Sequence, residues 1–562
     1  MEQVKDFEPK DVSELLVKAT RNPVEQEEEL RFQTRERKAS QLLFADLCHR
    51  LERVTHEVGK RHRRLEILFP RPLVHALKGC SPYPLFRLLL PQIDTTRKNY
   101  SIKQAGLAKL YVEILGLDPR HSRDAQKLLR YRQPPPPRAL DSPPKRPCTF
   151  DWPDVLEDVL ATRVTQQASR ATLGELNEVL DQLTRATEHQ SRQTVLNRIL
   201  LWLSAKEQKW LARIILQDMK IGLREEQILG FYHAQAMSLW NATCDLRYVC
   251  SALTDSSRQI DRDALGVQLH RPFAPMLATM LHHQLYKVEP AMHGHPFAVE
   301  MKIDGERMLC HKDGGQVEWF SRSATDYTDK YGPMLTPHVI RCVEVEQCIL
   351  DGEVVGWDYE QETYLSFKEN RSIITDDDHS RRRTLVYIVF DIVYLDDPRA
   401  SQMLQLNSSD ISGTNRDLTK KVVPPGPLTF LPLSKRRNLL EVVVRPEPKK
   451  LELVRHRRIE STDAEDRVER LMDAFESALK DMEEGLMVKD LTGSYILGEK
   501  ARALQLWIKM KPEFSDQTTN LDVIVLVLIV LINLGAKMSV LKTLLQYPGA
   551  VRTIIAASRK MR

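Results

Sequence analysis

Residues 297–307 read Phe297-Ala298-Val299-Glu300-Met301-Lys302-Ile303-Asp304-Gly305-Glu306-Arg307. The first six residues form a strand-like run, and Asp304-Gly305 breaks it with a turn. A lysine is thereby set beside a turn, with an arginine just across it. Far downstream the chain reads Trp507-Ile508-Lys509-Met510-Lys511. As a strand, this segment puts both lysines on one face, because side chains alternate. A lysine is a nucleophile only when part of its population is uncharged, which nearby cations and a partly dry site supply. The same cations would neutralise the phosphates of a nucleotide. The two segments together point to covalent attack by Lys302 on a phosphoryl group.

Around them lie further short apolar runs at residues 317–320, 348–351 and 385–391, broken by Gly and Asp. A helical pattern at 464–480 lies between strand-like segments. Residues 270–514 are therefore expected to form a mixed α+β domain. Residues 398–427, polar and rich in Pro, Ser and Asn, are expected to be a surface insertion. Upstream the periodicity is different. Apolar spacing is helical over 42–130, where Gly116 should stop one helix, and again over 152–253. Between them, residues 133–147 carry the run Pro134 to Pro137 and suggest a stiff linker. Residues 1–41 are rich in Glu, Arg and Lys and are expected to form a loosely ordered polar tail.

A chain of 562 residues suits about three or four domains. The net charge of +5 is too small for a generally basic chain, so any nucleic-acid surface must be local. The eight cysteines include no CxxC pair, which argues against zinc knuckles and a disulfide scaffold and for a reducing compartment. The charged N-terminus has no apolar secretory core. The basic runs at 60–64 and 144–147 could address a nucleus, or equally be solvated turns. Residues 521–534 are almost wholly apolar, but short of the roughly twenty residues a membrane span needs.

Several side chains suggest one site with Lys302. Arg307 would be an electrophilic clamp and Arg322 a second cation. Glu353, after Leu350-Asp351-Gly352, and Glu484, in Glu483-Glu484-Gly485-Leu486-Met487-Val488-Lys489, supply carboxylates for a sugar hydroxyl or a divalent ion. Phe390 could stack on a base, and Lys509 and Lys511 complete the set. Each element alone reads more simply as a turn with a salt bridge, a helix end or an edge strand. Their order within one α+β region favours the functional reading.

That order resembles the covalent nucleotidyltransferases, and within them the ATP-dependent DNA ligases, nearest to the end-joining ligases of eukaryotes. Phe44-Ala-Asp-Leu-Cys, Lys109-Leu-Tyr-Val-Glu-Ile-Leu and Glu207-Gln-Lys-Trp-Leu-Ala-Arg strengthen the resemblance, which covers residues 42 to about 526. It implies a helical DNA-binding domain over 42–265, then an ATP-grasp-like adenylation domain over 270–514. It also implies ATP and Mg2+ as cofactors, double-stranded DNA ends or nicks as substrate, and a nuclear role in double-strand break repair by end joining. By the resemblance Lys302 carries AMP. Glu300 would contact adenine and Phe390 would stack on it. Arg307, Arg322, Lys509 and Lys511 would contact phosphates, Glu353 ribose or metal, and Glu484 metal.

There are departures. Residues 515–562 look like the start of an OB fold that is not completed, and BRCT repeats that would bind a coiled-coil scaffold partner are not found. Binding of that partner and full activity are therefore not expected of this chain. A non-catalytic DNA-binding fragment and an mRNA-capping guanylyltransferase are the alternatives.

Overall fold

The computed structural model describes residues 23–97, 100, 102–131, 151–165, 168–255, 257, 259–261, 263–281, 285–375, 382–397, 426–480, 483–498, 504 and 506–511. The proline linker, nearly all of the 398–427 insertion and the whole 515–562 segment lie outside this set. The described residues fall into two compact units divided near residue 270.

The first unit is helical throughout. Its helices start where side chains can accept the unpaired N–H groups of a first turn. Thr172 and Glu175 form a reciprocal capping box at Leu173–Arg185, as do Ser204 and Glu207 at Ala205–Ile215. We expect Thr172→Ala to lower stability by about 1 kcal/mol, the usual cost of a lost cap, as measured by urea unfolding. Gln104–Ile114 stops as its sequence suggests. Gly116 takes φ +62°, and the Leu117 amide returns to the Val112 carbonyl at 3.0 Å. Buried ion pairs tie the helices together. Arg97 reaches Asn177 and Asp181, and Lys209 lies 2.8 Å from Glu52 and 2.9 Å from Glu157.

The tail expectation needs correction over Pro23–Ser40, which is an 18-residue helix. Its charge is satisfied across the fold rather than by solvent alone. Arg247 holds Glu29 and Glu36, each at 2.7 Å, and stacks over Phe32, while Ala39 is fully buried. The basic run at 60–64 is not a turn either. It opens the helix Arg61–Leu68, and Arg64 donates to the Glu57 and Gly222 carbonyls.

The second unit is α+β. Its strands, in chain order, are β1 (Thr279–Met280), β2 (Phe297–Met301), β3 (Glu306–Asp313), β4 (Gln316–Ser321), β5 (Gln347–Asp358), β6 (Thr363–Tyr364), β7 (Arg383–Asp396), β8 (Gly426–Pro427), β9 (Leu451–Leu453), β10 (His456–Ile459), β11 (Leu486–Asp490) and β12 (Trp507–Met510). They make a five-stranded sheet, β1-β12-β11-β2-β10, and a seven-stranded one, β4-β3-β5-β7-β8 with β6 on β5 and β9 on β7. Most pairings are antiparallel; β1–β12 and β7–β9 are parallel. Trp319, Tyr331 and Tyr387 fill the core of the larger sheet, where Trp319 meets Tyr387 edge to face at 4.9 Å. The helix Ala464–Lys480 covers one face of the smaller sheet through Leu471 and Phe475.

Candidate active site

Strand alternation in the smaller sheet decides where the chemistry goes. Phe297 and Val299 of β2, Leu486 and Val488 of β11, and Ile508 and Met510 of β12 pack into the core beneath Ala464–Lys480. The residues between them must face the other way. That face carries Glu300 on β2, Met487 and Lys489 on β11, and Trp507 and Lys509 on β12. The same alternation continues past the strand ends to Lys302 and Lys511. Register sets Glu300, Met487 and Lys509 in one row across three strands.

At one end of this face, Lys302 is ion-paired with Glu484, whose other oxygen lies 2.7 Å from Lys511 Nζ. Burial alone would raise the Glu484 pKa. Hydrogen bonds from Lys302 and Lys511 outweigh it and hold the carboxyl below its ordinary range. Gly485 makes the junction possible. Its carbonyl accepts the Lys302 amide at 2.9 Å, its φ is +137°, and a Cβ there would lie 2.0 Å from the Met510 carbonyl oxygen.

Glu353 lies beside this group on β5, opposite Arg307 in the ladder. Burial pushes its carboxyl up to about 7; Arg307 and Lys302 oppose the rise, and Asp351 and Glu484 add to it. A carboxyl whose folded pKa lies above its unfolded one binds an extra proton when folded. Stability should therefore fall as pH rises from about 4.5 toward about 7. We expect Glu353→Gln to flatten that part of the stability–pH curve; an unchanged slope would refute the shift.

Arg307 differs from the open phosphate clamp expected of it. Its Nε and Nη2 form a bidentate pair with the buried Asp351 at 2.9 and 2.6 Å, and Nη1 donates to the Met276 carbonyl at 2.7 Å. Tyr495 donates to the same carboxylate at 2.6 Å. Asp351 demands this partner because an unpaired buried carboxylate is costly. Arg307 thus braces the wall of the site, with its guanidinium 5.4 Å from the Phe390 ring centroid. Phe390 lies within β7. Its ring is covered by Lys489 Nζ at 4.1 Å and by the edge of Trp507.

Glu300 is buried and is held by two cations, Arg437 and Lys489, the latter at 2.7 Å. Arg322 is exposed, one residue beyond the end of β4. Lys509 is half-buried on β12. The structure therefore brings Lys302, Glu353, Glu484 and Lys511 together, and sets Glu300, Arg307 and Phe390 along the same wall. Reasoning from sequence missed Asp351, Lys489, Tyr495 and Arg437. Alternation along β11, with Leu486 and Val488 turned to the core, could have found Lys489 on the opposite face. Nothing local marks Arg437, which arrives from the helix Leu433–Val443.

The second unit thus carries a lysine with carboxylates and further lysines about one strand face. The family model described as ATP dependent DNA ligase domain matches residues 275–511, and the one described as DNA ligase N terminus matches residues 40–233. The chain belongs to the ATP-dependent DNA ligases. Within that family it is similar to proteins named DNA ligase 4. The Homo sapiens protein is 32% identical over 515 residues, covering 88% of this chain and 51% of the relative. The Gallus gallus protein is 31% identical over 499 residues, covering 85% and 49%. The Dictyostelium discoideum protein is 31% identical over 480 residues, covering 78% and 40%. The chain thus spans about half the length, or less, of these relatives.

Proposed function

We propose that the chain is an ATP-dependent DNA ligase acting through a lysyl-AMP on Lys302, in double-strand break repair by end joining. The observation that supports this most is the single face carrying Glu300 and Lys302, with Glu484 and Lys511 around the lysine nitrogen. Lys302 Nζ would attack the α-phosphorus of ATP, forming a P–N bond and expelling pyrophosphate. The attack needs a neutral amine, which the neighbouring cation Lys511 would favour. AMP would then pass to a DNA 5′-phosphate, and a 3′-hydroxyl would displace it and close the strand. Lys511 and Lys509 would balance phosphate charge through these steps. Glu300 would meet the adenine and Phe390 would stack on it.

Among the described residues no group of three or more His, Cys, Asp or Glu could hold a metal by itself. Two carboxylates completed by substrate phosphates do suit magnesium, so Glu353 and Glu484 would hold it, and it would supply neutralisation of phosphate charge. No helix among the described residues is long and apolar enough to cross a membrane, and a nuclear location is part of this proposal.

Incubating the chain with α-labelled ATP or GTP tests the reading. Label retained from ATP supports a ligase. Label from GTP would favour a capping enzyme, and none from either a non-catalytic DNA-binding fragment. We also expect the chain to bind duplex DNA without sequence preference through its helical unit. The logarithm of affinity should fall linearly with that of salt, by about 0.9 per phosphate neutralised. A salt-independent or strongly sequence-selective affinity would count against this role.

A further inference from the structure

Two buried cations face the Glu300 carboxylate. Lys489 Nζ lies 2.7 Å from one oxygen and Arg437 contacts the other; both cations are buried. Arg458 and His456 stand nearby on β10, with His456 opposite Glu300 in the ladder. All three Arg437 guanidinium nitrogens, and the Glu300 oxygen that Arg437 ion-pairs with, are buried and make no hydrogen bond. A buried guanidinium with unspent donors is costly unless a ligand completes it. It reaches the face that carries Lys302 two residues away, so the ligand atoms it would meet are those of the nucleotide.

We propose that Arg437 is the specificity-determining residue for the base, acting by locking Glu300 into an acceptor–donor pair that fits the adenine edge. This rests on the ligase reading above, which puts the base against Glu300. A carboxylate alone does not discriminate well. It accepts from the adenine amino group, but by turning it can also accept from the two adjacent N–H groups of guanine. Held by Arg437 on one oxygen and Lys489 on the other, it cannot turn. The base then meets an acceptor from Glu300 beside a donor from Arg437. Adenine offers the complement, an amino N–H beside a ring nitrogen acceptor. Guanine offers a carbonyl beside a ring N–H, which sets acceptor against acceptor and donor against donor. Sites built on such pairing reject the mismatched partner strongly, because buried polar groups are left unpaired.

The test uses the full chain and two readouts. One is AMP and GMP binding by titration calorimetry, which needs no reaction; the other is covalent labelling from α-labelled ATP and GTP. The unaltered chain should prefer AMP. Arg437→Met should reduce the AMP-over-GMP preference at least tenfold, chiefly through weaker AMP binding, with thermal unfolding as the check on folding. Arg437→Lys keeps the buried charge but not the forked donors, and should reduce the preference less. It also serves if the methionine variant does not fold. A preference unchanged in a folded variant overturns the proposal, as does an unaltered chain that binds both nucleotides alike. Should the preference depend on Arg437 while no label is retained, the ligase reading fails and the assignment to Arg437 stands. Should labelling be intact with the preference unmoved in Arg437→Lys, the assignment alone fails.

Discussion

Lys302→Arg should abolish retention of label from α-labelled ATP, by roughly the million-fold lost when an enzyme's nucleophile is removed. Arginine keeps the positive charge beside Glu484, so the ion pair and the fold should survive. Its guanidinium stays protonated and offers no lone pair. Loss of labelling with unchanged thermal unfolding would therefore separate chemistry from structure. A variant that still becomes labelled would show that another group carries the nucleotide. Lys489 would then be the first alternative to examine, since burial and the neighbouring Arg437 push its pKa well down.

The second large effect should come from a pair that touches no ligand. Asp391 on β7 and Arg436 on Leu433–Val443 are both fully buried and bonded twice, each bond 2.8 Å long. Arg436 also reaches the Leu431 and Gly493 carbonyls and stacks over Tyr495. Asp391→Ala leaves that guanidinium buried without its counter-charge, which costs about 3–5 kcal/mol. Replacing both by apolar side chains of similar size should recover most of the loss. Urea unfolding of the single and double variants checks this. A single variant within about 0.5 kcal/mol of the unaltered chain would contradict it. Because Phe390 precedes Asp391, the single change should also weaken nucleotide binding.

Lys302 and the Asp391–Arg436 pair illustrate what was legible in the sequence. Lys302 stood out because a strand, a turn and an arginine were contiguous. The strands at 297–301 and 507–510 and the helix Ala464–Lys480 were visible through periods of two and 3.6. Asp391–Arg436 was not visible, since its members are brought together only by sheet and helix packing. The pairing of Arg307 was not legible for the same reason. Its partner Asp351 lies on a different strand, and an arginine near a lysine looks like a phosphate clamp until that carboxylate is placed. The helix Pro23–Ser40 escaped notice because it lacks an apolar stripe. What orders it is Arg247, far away in the chain, and no local pattern reveals a distant counter-ion.

The alternation that places Lys302, Lys489, Lys509 and Lys511 on one face has a consequence for inserted and deleted residues. A point substitution in β2, β11 or β12 alters one group. A one-residue insertion turns every following side chain over, exchanging the ammonium groups for the leucines and valines beneath Ala464–Lys480. Core and active site would be lost in one event, whatever residue was inserted. A two-residue insertion would shift positions along the strand yet return each side chain to its own face. Viable length changes in these three strands should therefore come in even steps, a parity rule imposed by the pleat rather than by any individual side chain.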